Sequence, residues 1–255
     1  MKIASWNVNS LKIRLPQVLQ WLESARPDVL ALQEIKVVNE NFPLAEIEAA
    51  GYSAVCSGQK TYNGVAILSR APLQDAETDI AGMDDPQRRI LAATVGNVRV
   101  LNLYVVNGQE VDSEKYHYKL SWLQQVSAYI QTQLQRYPEM VILGDFNITP
   151  EDRDVHDPEL WREKILCSSK ERKALQDILG HGFVDTFRRF EQPANSFSWW
   201  DYRAAAFRRN LGLRIDLILA SNSMAARCHA AGIDREPRTW ERPSDHVPVW
   251  AEFDV

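Results

Sequence analysis

Short apolar runs rich in Val, Ile and Leu recur from one end of the chain to the other, separated by segments whose apolar residues fall three and four apart. The first pattern belongs to buried strands and the second to amphipathic helices. Strands are predicted over Lys2–Asn7, Val29–Glu34, Tyr52–Cys56, Val65–Ser69, Ile90–Val95, Val98–Val106, Met140–Gly144, Leu213–Ala220 and Val247–Phe253. Helices are predicted around Leu15, Val18, Leu19 and Leu22, around Leu120, Leu123, Val126 and Ile130, and around Leu175, Ile178 and Leu179. Gly51, Pro72, Pro86, Pro138 and Pro150 punctuate these elements. Strands mixed with helices predict an α/β or α+β architecture. The 255 residues contain no linker, low-complexity tract or short-period repeat, so the chain reads as a single domain over residues 1–255.

Several predicted strands run apolar and then end on a polar residue: Asn7 after Ile3-Ala4-Ser5-Trp6, Glu34 after Leu30-Ala31-Leu32-Gln33, and Asp145 after Val141-Ile142-Leu143-Gly144. One such terminus is ordinary turn chemistry. Together they predict a single mouth, because α/β proteins place sites beyond strand ends at one edge. In Gly144-Asp145-Phe146-Asn147 a carboxylate and a carboxamide stand two apart, which puts both on one side of an extended backbone. Gly144 permits close backbone approach there. Asp216 lies inside Arg214-Ile215-Asp216-Leu217-Ile218-Leu219, where an ionised carboxylate is costly unless paired. His246, in Ser244-Asp245-His246, is the candidate partner. A carboxylate on one ring nitrogen would orient the imidazole and raise its basicity.

Glu34, Asp145 and Asp245, joined by the amides of Asn7 and Asn147, form a candidate all-oxygen set. Hard oxygen donors select magnesium, with manganese as a substitute, over zinc. Cys56, Cys167 and Cys228 lack metal-ligand spacing and predict neither a zinc site nor a disulfide framework. A divalent ion, a carboxylate base and an Asp-oriented His are the parts needed to break a phosphodiester, with Asp145 able to accept a proton from attacking water. The phenol of Tyr104, in the run Val98–Val106, can contact the phosphate or assist the leaving group.

Composition narrows the setting. Apolar residues at 45% and charged residues at 25% fit an ordinary folded protein with a sizeable core. No run approaches the ~20 apolar residues that span a bilayer, and the N-terminus lacks a signal-peptide pattern, which predicts a cytoplasmic protein with no membrane partner. The net charge of −5 runs against a nucleic-acid partner, but its distribution does not. Arg188, Arg189, Arg203, Arg208, Arg209 and Arg214 face only Glu191 and Asp201 in their stretch and are interleaved with Phe197, Trp199, Trp200, Tyr202 and Phe207. That predicts a local basic and aromatic surface.

Eight ordered blocks resemble the signature of the exonuclease III family of AP endonucleases. They are Trp6-Asn7-Val8-Asn9, Leu32-Gln33-Glu34-Ile35-Lys36, Gly64-Val65-Ala66-Ile67, Gln87-Arg88-Arg89-Ile90, Gly144-Asp145-Phe146-Asn147, Phe197-Ser198-Trp199-Trp200-Asp201-Tyr202-Arg203, Leu213-Arg214-Ile215-Asp216 and Ser244-Asp245-His246. The match runs essentially from residue 1 to 255. The resemblance implies a four-layered α/β sandwich of the DNase I-like type, two mixed sheets packed face to face and flanked by helices, built from two similar halves. It implies a DNA repair hydrolase: a magnesium-dependent 3′-5′ exodeoxyribonuclease with 3′-phosphatase, 3′-phosphodiesterase and AP endonuclease activities. Its partner would be double-stranded DNA with abasic sites or blocked 3′ ends, and the chain is expected to act as a monomer.

By the same resemblance Glu34 would be the principal metal ligand, with Asn7, Asp145, Asn147, Asp245 and His246 completing the metal and phosphate site. Tyr104, Asp145, Asn147, Asp216 and His246 would be catalytic. Trp199, Trp200, Arg203 and Arg208 would lie on the DNA-facing loop. Whether Asp145 or His246 takes the water proton stays open, as does the number of ions. Leu166 departs from the family pattern, which has a small Gly or Ser at its place. A bulky residue there could crowd an extruded abasic sugar while leaving a 3′ end free to enter. Two other readings share these motifs. Another phosphoesterase of the same superfamily would lack the Trp199–Arg214 stretch, and a non-catalytic nucleic-acid-binding relative would lack several of Glu34, Tyr104, Asp145, Asn147, Asp216 and His246.

Overall fold

The computed structural model describes residues 1–83 and 85–255. Its strands, in chain order, are β1 (Lys2–Asn7), β2 (Val29–Gln33), β3 (Ser53–Ser57), β4 (Val65–Ser69), β5 (Leu73–Thr78), β6 (Ile90–Val95), β7 (Val98–Tyr104), β8 (Met140–Asp145), β9 (Phe183–Asp185), β10 (Asp216–Ser221), β11 (Cys228–Ile233) and β12 (Val249–Phe253). They form two six-stranded sheets, ordered β11-β12-β1-β2-β4-β3 and β5-β6-β7-β8-β10-β9. The sheets repeat one pattern: the central pairs β1/β2 and β7/β8 are parallel and every other neighbour is antiparallel. A parallel pair needs a crossover. The helix Leu11–Ala25 supplies it in the first sheet and the helix Glu114–Arg136 in the second.

The continuous apolar runs become strands buried on both faces, as a layered sheet requires. One face of each sheet meets the other sheet through Ile3, Ala31, Ile67, Leu91, Val100, Val141, Leu143, Ile218 and Ala251. The outer face of the first sheet covers Trp21 and Leu22 of the helix Leu11–Ala25 with Trp6, Leu30 and Leu68. The outer face of the second buries Leu101, Ile142 and Leu217 against Trp122, Val126 and Ile130 and against Leu175 and Ile178 of the helix Ser169–Leu179. Helix, sheet, sheet, helix make the four layers expected. Deep between the sheets lies a buried polar link: Gln33 Nε2 donates to Asn102 Oδ1 at 2.8 Å, and Asn102 Nδ2 donates to the carbonyls of Leu32 and Ala66 at 2.9 Å. Every group of that link is satisfied, so it fixes sheet against sheet without leaving a desolvated polar atom.

Register then decides where the polar strand ends fall. Asn7 pairs across from Gln33, Tyr104 from Asp145, and Asp145 from Asp216. All of these positions share one edge of the sandwich. The sequence pattern missed β5, β9 and β11, which lie at sheet edges, where strands are short or polar: β5 is Leu-Gln-Asp-Ala-Glu-Thr. The last strand begins at Val249 rather than Val247, since Pro248 has no N–H to give a ladder. The strand expected from Leu213 begins at Asp216, because Leu213 bridges instead to Val155 and Trp199.

Gly144 shows how tightly the second sheet closes at this edge. Its φ is +144°, and a Cβ there would stand 1.8 Å from the Leu103 carbonyl oxygen. Gly144→Ala is therefore expected to destabilise the fold by more than about 2 kcal/mol through backbone strain and overlap, measured as a fall in urea midpoint. A midpoint within error of the parent would show that β7 and β8 can part locally at no cost.

Candidate active site

Asn7, the last residue of β1, holds two acids at once. Its Nδ2 donates to Glu34 Oε1 and to Asp145 Oδ2, each at 2.9 Å, so a residue of the first sheet joins a carboxylate of its neighbouring strand to one from the second sheet. Glu34 sits one residue beyond β2 at φ +50°, with its carbonyl accepting from Ser10 N at 2.8 Å. Non-glycine residues in that region cost energy and gather at functional sites; Lys36 at φ +53° and Asn147 at φ +49° join it here. Lys36 Nζ lies 2.8 Å from Glu34 Oε2. Burial alone would raise the Glu34 carboxyl, but the Lys36 ammonium and the hydrogen bonds from Lys36 and Asn7 outweigh it and hold the group below its ordinary range.

The second half of the site runs through the histidine. His246 Nδ1 lies 2.9 Å from Asp216 Oδ2, and Ser198 Oγ donates to the same oxygen at 2.6 Å. His246 Nε2 faces Asp145 Oδ2 at 3.7 Å. Burial works against a charged ring, but the carboxylates of Asp216 and Asp145 win and push the imidazole up to about 10. Asp145 moves the other way from an ordinary acid: burial lifts it to about 7, with His246 only partly compensating. Burial also pushes the Tyr104 phenol well up, and the nearby carboxylates of Glu34 and Asp145 add to it. The Tyr104 ring lies under the Arg89 guanidinium, 4.5 Å from its centroid, while Arg89 donates to the Tyr104 carbonyl at 3.2 Å. The surroundings thus favour the protonated forms of the imidazole and phenol, hold Glu34 toward its ionised form and lift Asp145.

Among the described residues, Glu34, Asp145 and His246 bring ligand-type atoms within 4.8 Å of one another. Of the residues expected at the metal site, Glu34, Asp145 and His246 stand in this group, and Asn7 and Asn147 hydrogen-bond to its carboxylates. Asn7 and Asn147 turn their Nδ2 groups to Asp145, while their Oδ1 atoms accept from Asn9 N at 3.0 Å and from Asn107 Nδ2 at 3.1 Å. Asp245 is held apart, one oxygen accepting from Asn9 Nδ2 and the other from Trp199 Nε1, both at 3.0 Å. Asp145 and Asn147 converge, though not through extended backbone: the chain turns left-handed at Asn147, and the Asn147 N–H reaches back to Asp145 Oδ1 at 2.9 Å.

The family model described as the endonuclease/exonuclease/phosphatase family matches residues 4–246. The chain belongs to the endonuclease/exonuclease/phosphatase family. It is 37% identical over 269 residues to exodeoxyribonuclease III of Haemophilus influenzae, covering 99% of this chain and 100% of that protein. The solved 3′ phosphatase NExo of Neisseria, bound to a product DNA hairpin, is 50% identical with a TM-score of 0.98 over 100% of both chains. An AP endonuclease from Archaeoglobus fulgidus is 40% identical with a TM-score of 0.96, again over 100% of both chains.

The expected DNA-facing residues divide. Arg203, with 89% of its side chain exposed, and Arg208 stand on the surface, and Trp199 is half-buried. Trp200 does not face outward: it is fully buried, its Nε1 donates to Asn210 Oδ1 at 3.1 Å, and its ring meets Phe207 edge-on at 5.0 Å. An indole of that size is the anchor of the loop rather than its contact face. Arg188 and Arg214 also leave the expected basic surface, because both pair with the buried Asp154, and Arg214 pairs with Asp185 as well. Leu166 is buried among Val155, Cys167, Leu213 and Ile215, so its side chain makes no open contact surface. Two residues that sequence reasoning passed over enter the site. Asn107 follows the β7 run as a further polar residue beyond a strand end, and Ser198 lies inside a quoted motif but has an unremarkable side chain in sequence.

Removing the Asp216 charge should lower the His246 pKa: burial disfavours the charged ring, and the Asp216 carboxylate does most to overcome that cost. In metal-free protein, nuclear magnetic resonance should find the ring protonated through about pH 8 in the parent and titrating at clearly lower pH in Asp216→Asn. Overlapping titration curves would mean that Asp216 does not set the charge on His246.

Proposed function

We propose that the chain hydrolyses phosphodiester bonds in damaged DNA, as an exonuclease III-type hydrolase that degrades from 3′ ends and clears 3′ blocking groups, with cleavage at internal abasic sites as a further activity. The observation that carries this reading is the opposition of His246 to Asp145 across 3.7 Å, with Glu34 tied to Asp145 through Asn7. In the reaction, water attacks phosphorus and the bond from phosphorus to the 3′ oxygen breaks, leaving a 3′-hydroxyl and a 5′-phosphate. His246 already holds its proton at neutral pH, which makes it a partner for phosphate oxygen rather than a base. Asp145, buried opposite His246 and oriented by Asn7 and Asn147, is the carboxylate placed to accept the proton of the attacking water. Tyr104, kept protonated, can donate to the phosphate or the departing oxygen.

Glu34 and Asp145 offer hard carboxylate oxygens, a donor set that fits magnesium, with manganese able to substitute. Such an ion, when bound, neutralises charge on the phosphate oxygens. Asn7, Asn147 and Asp245 act as the frame around those ligands. Arg203 and Arg208 face the DNA backbone from the loop that Trp200 anchors, and double-stranded DNA with abasic sites or blocked 3′ ends is the partner. No helix among the described residues is long and apolar enough to cross a membrane.

Labelled duplexes carrying a 3′-phosphate, a recessed 3′ end or an internal abasic analogue, incubated with magnesium or with chelator, test the reading. Hydrolysis is expected with magnesium and not with chelator. Glu34→Ala and Asp145→Asn should each lower turnover by a factor on the order of 100 or more. Near-parent rates in either variant at saturating magnesium, or no hydrolysis of any substrate by the parent, would remove it.

Leu166 bears on the balance among these substrates. It stands at φ +71°, a conformation suited to glycine, and its branched side chain fills a cluster against which Trp199 also packs. The space beside Trp199 is thereby closed to a sugar turned out of a duplex, whereas a terminal phosphate needs no such space. Leu166→Gly should raise the ratio of internal abasic cleavage to 3′-end processing. An unchanged ratio would show that Leu166 serves packing alone.

A further inference from the structure

Lys119 and Glu171 are both fully buried and paired, and their hydrogen bonds go to groups other than the Glu34, Asp145 and His246 side chains. A buried ion pair is poor evidence of stabilisation, since well-packed apolar residues often do as well. What distinguishes this pair is where the lysine spends its protons. Besides Glu171, Lys119 Nζ donates to the carbonyl of Asn107 at 3.1 Å and to the carbonyl of Asn147 at 2.7 Å. An ammonium has three N–H donors, and all three are used.

The two carbonyls belong to the residues whose side chains frame the site. Asn107 Nδ2 donates to Asn147 Oδ1 at 3.1 Å, and Asn147 Nδ2 donates to the Val105 carbonyl at 3.0 Å and to Asp145 Oδ2 at 3.3 Å. Asn147 holds a left-handed backbone to do this, and such a conformation persists only where its surroundings hold it. The contact is tight as well: a Cβ on Gly108 would lie 3.1 Å from Lys119 Cδ.

We infer that Lys119 is a positioning residue, which fixes Asn107 and Asn147 from behind and through them aims the Asp145 carboxylate. This rests on the phosphodiesterase reading above. Glu171 keeps the ammonium in place, and also accepts from the N–H groups of Leu166 and Ser168, each at 3.1 Å, so that the loop beside the site is tied to the same point.

The test compares Lys119→Met with Ile130→Ala, a buried truncation on the same helix that lies in the outer core. Both should lower Tm. With assays run well below either Tm, Lys119→Met should lower kcat by about 10- to 100-fold with little change in KM, the range seen when groups supporting site residues are removed. Ile130→Ala should leave kcat unchanged. In an Asn147→Ala background the Lys119→Met effect on kcat should largely vanish, because Lys119 holds the Asn147 carbonyl and it is the Asn147 side chain that reaches Asp145. Full activity in Lys119→Met, an equal loss in Ile130→Ala, or additive effects with Asn147→Ala would each overturn the inference. If Lys119→Met does not fold, Lys119→Gln replaces it, with a smaller loss of kcat expected and the same outcomes deciding. An inactive parent would remove the phosphodiesterase reading and this inference together, whereas an active parent with a fully active Lys119 variant removes this inference alone.

Discussion

The site depends on a contact between two sheets that neither could make alone. Asn7 ends a strand of the first sheet, Asp145 ends a strand of the second, and the 2.9 Å hydrogen bond between their side chains is where the two halves of the chemistry meet. Its geometry is only as good as the alignment of the sheets behind it. The Gln33–Asn102 hydrogen bond, sunk between the sheets, supplies a directional lock that an apolar interface lacks. Close packing leaves the halves little freedom to slide. A shift of one strand register would carry Asn7 or Asp145 to the opposite face and empty the site.

Electrostatics then divides the labour among groups of similar intrinsic acidity. Glu34, half-buried, and Asp145, buried, are carboxylates a single amide apart, but Glu34 has Lys36 beside it and Asp145 does not. That difference keeps one ionised and leaves the other near neutrality. His246, between Asp216 and Asp145, is raised by their carboxylates against the cost of burial, which favours its protonated form. The net charge of −5 has a counterpart here: Glu34, Asp145, Asp216 and Asp245 gather at this edge, while Arg203 and Arg208 stand exposed on the surface.

Much of this was legible in the sequence because it follows from local rules. Runs of Val, Ile and Leu marked the central strands, and their polar ends marked the mouth. The Asp216–His246 pair could be inferred from the cost of an unpaired acid in an apolar run. What stayed hidden had tertiary causes. Edge strands such as β5 carry the polar residues that protect an edge, so they do not look like strands. Trp200 and Arg214 lie in a motif rich in aromatic and basic residues, and nothing in the motif says which side chains turn inward to Asn210 and Asp154. Amide orientation was equally invisible: the oxygens of Asn7 and Asn147 are used by Asn9 and Asn107, partners found only in the folded chain.

The pairing of β1 with β12 has a consequence for how the enzyme comes into being. Ile3 lies across from Ala251, so β1 is held on one side by a strand made more than 200 residues later. His246 arrives on the segment leading into that last strand, at the opposite end of the chain from Asn7. Contacts of such separation are slow to form and cannot form on a nascent chain that still lacks its final strand. The Glu34 side of the site can take shape early, but the imidazole reaches it only when β12 docks. Assembly of the Glu34, Asp145 and His246 group is thereby coupled to completion of the first sheet.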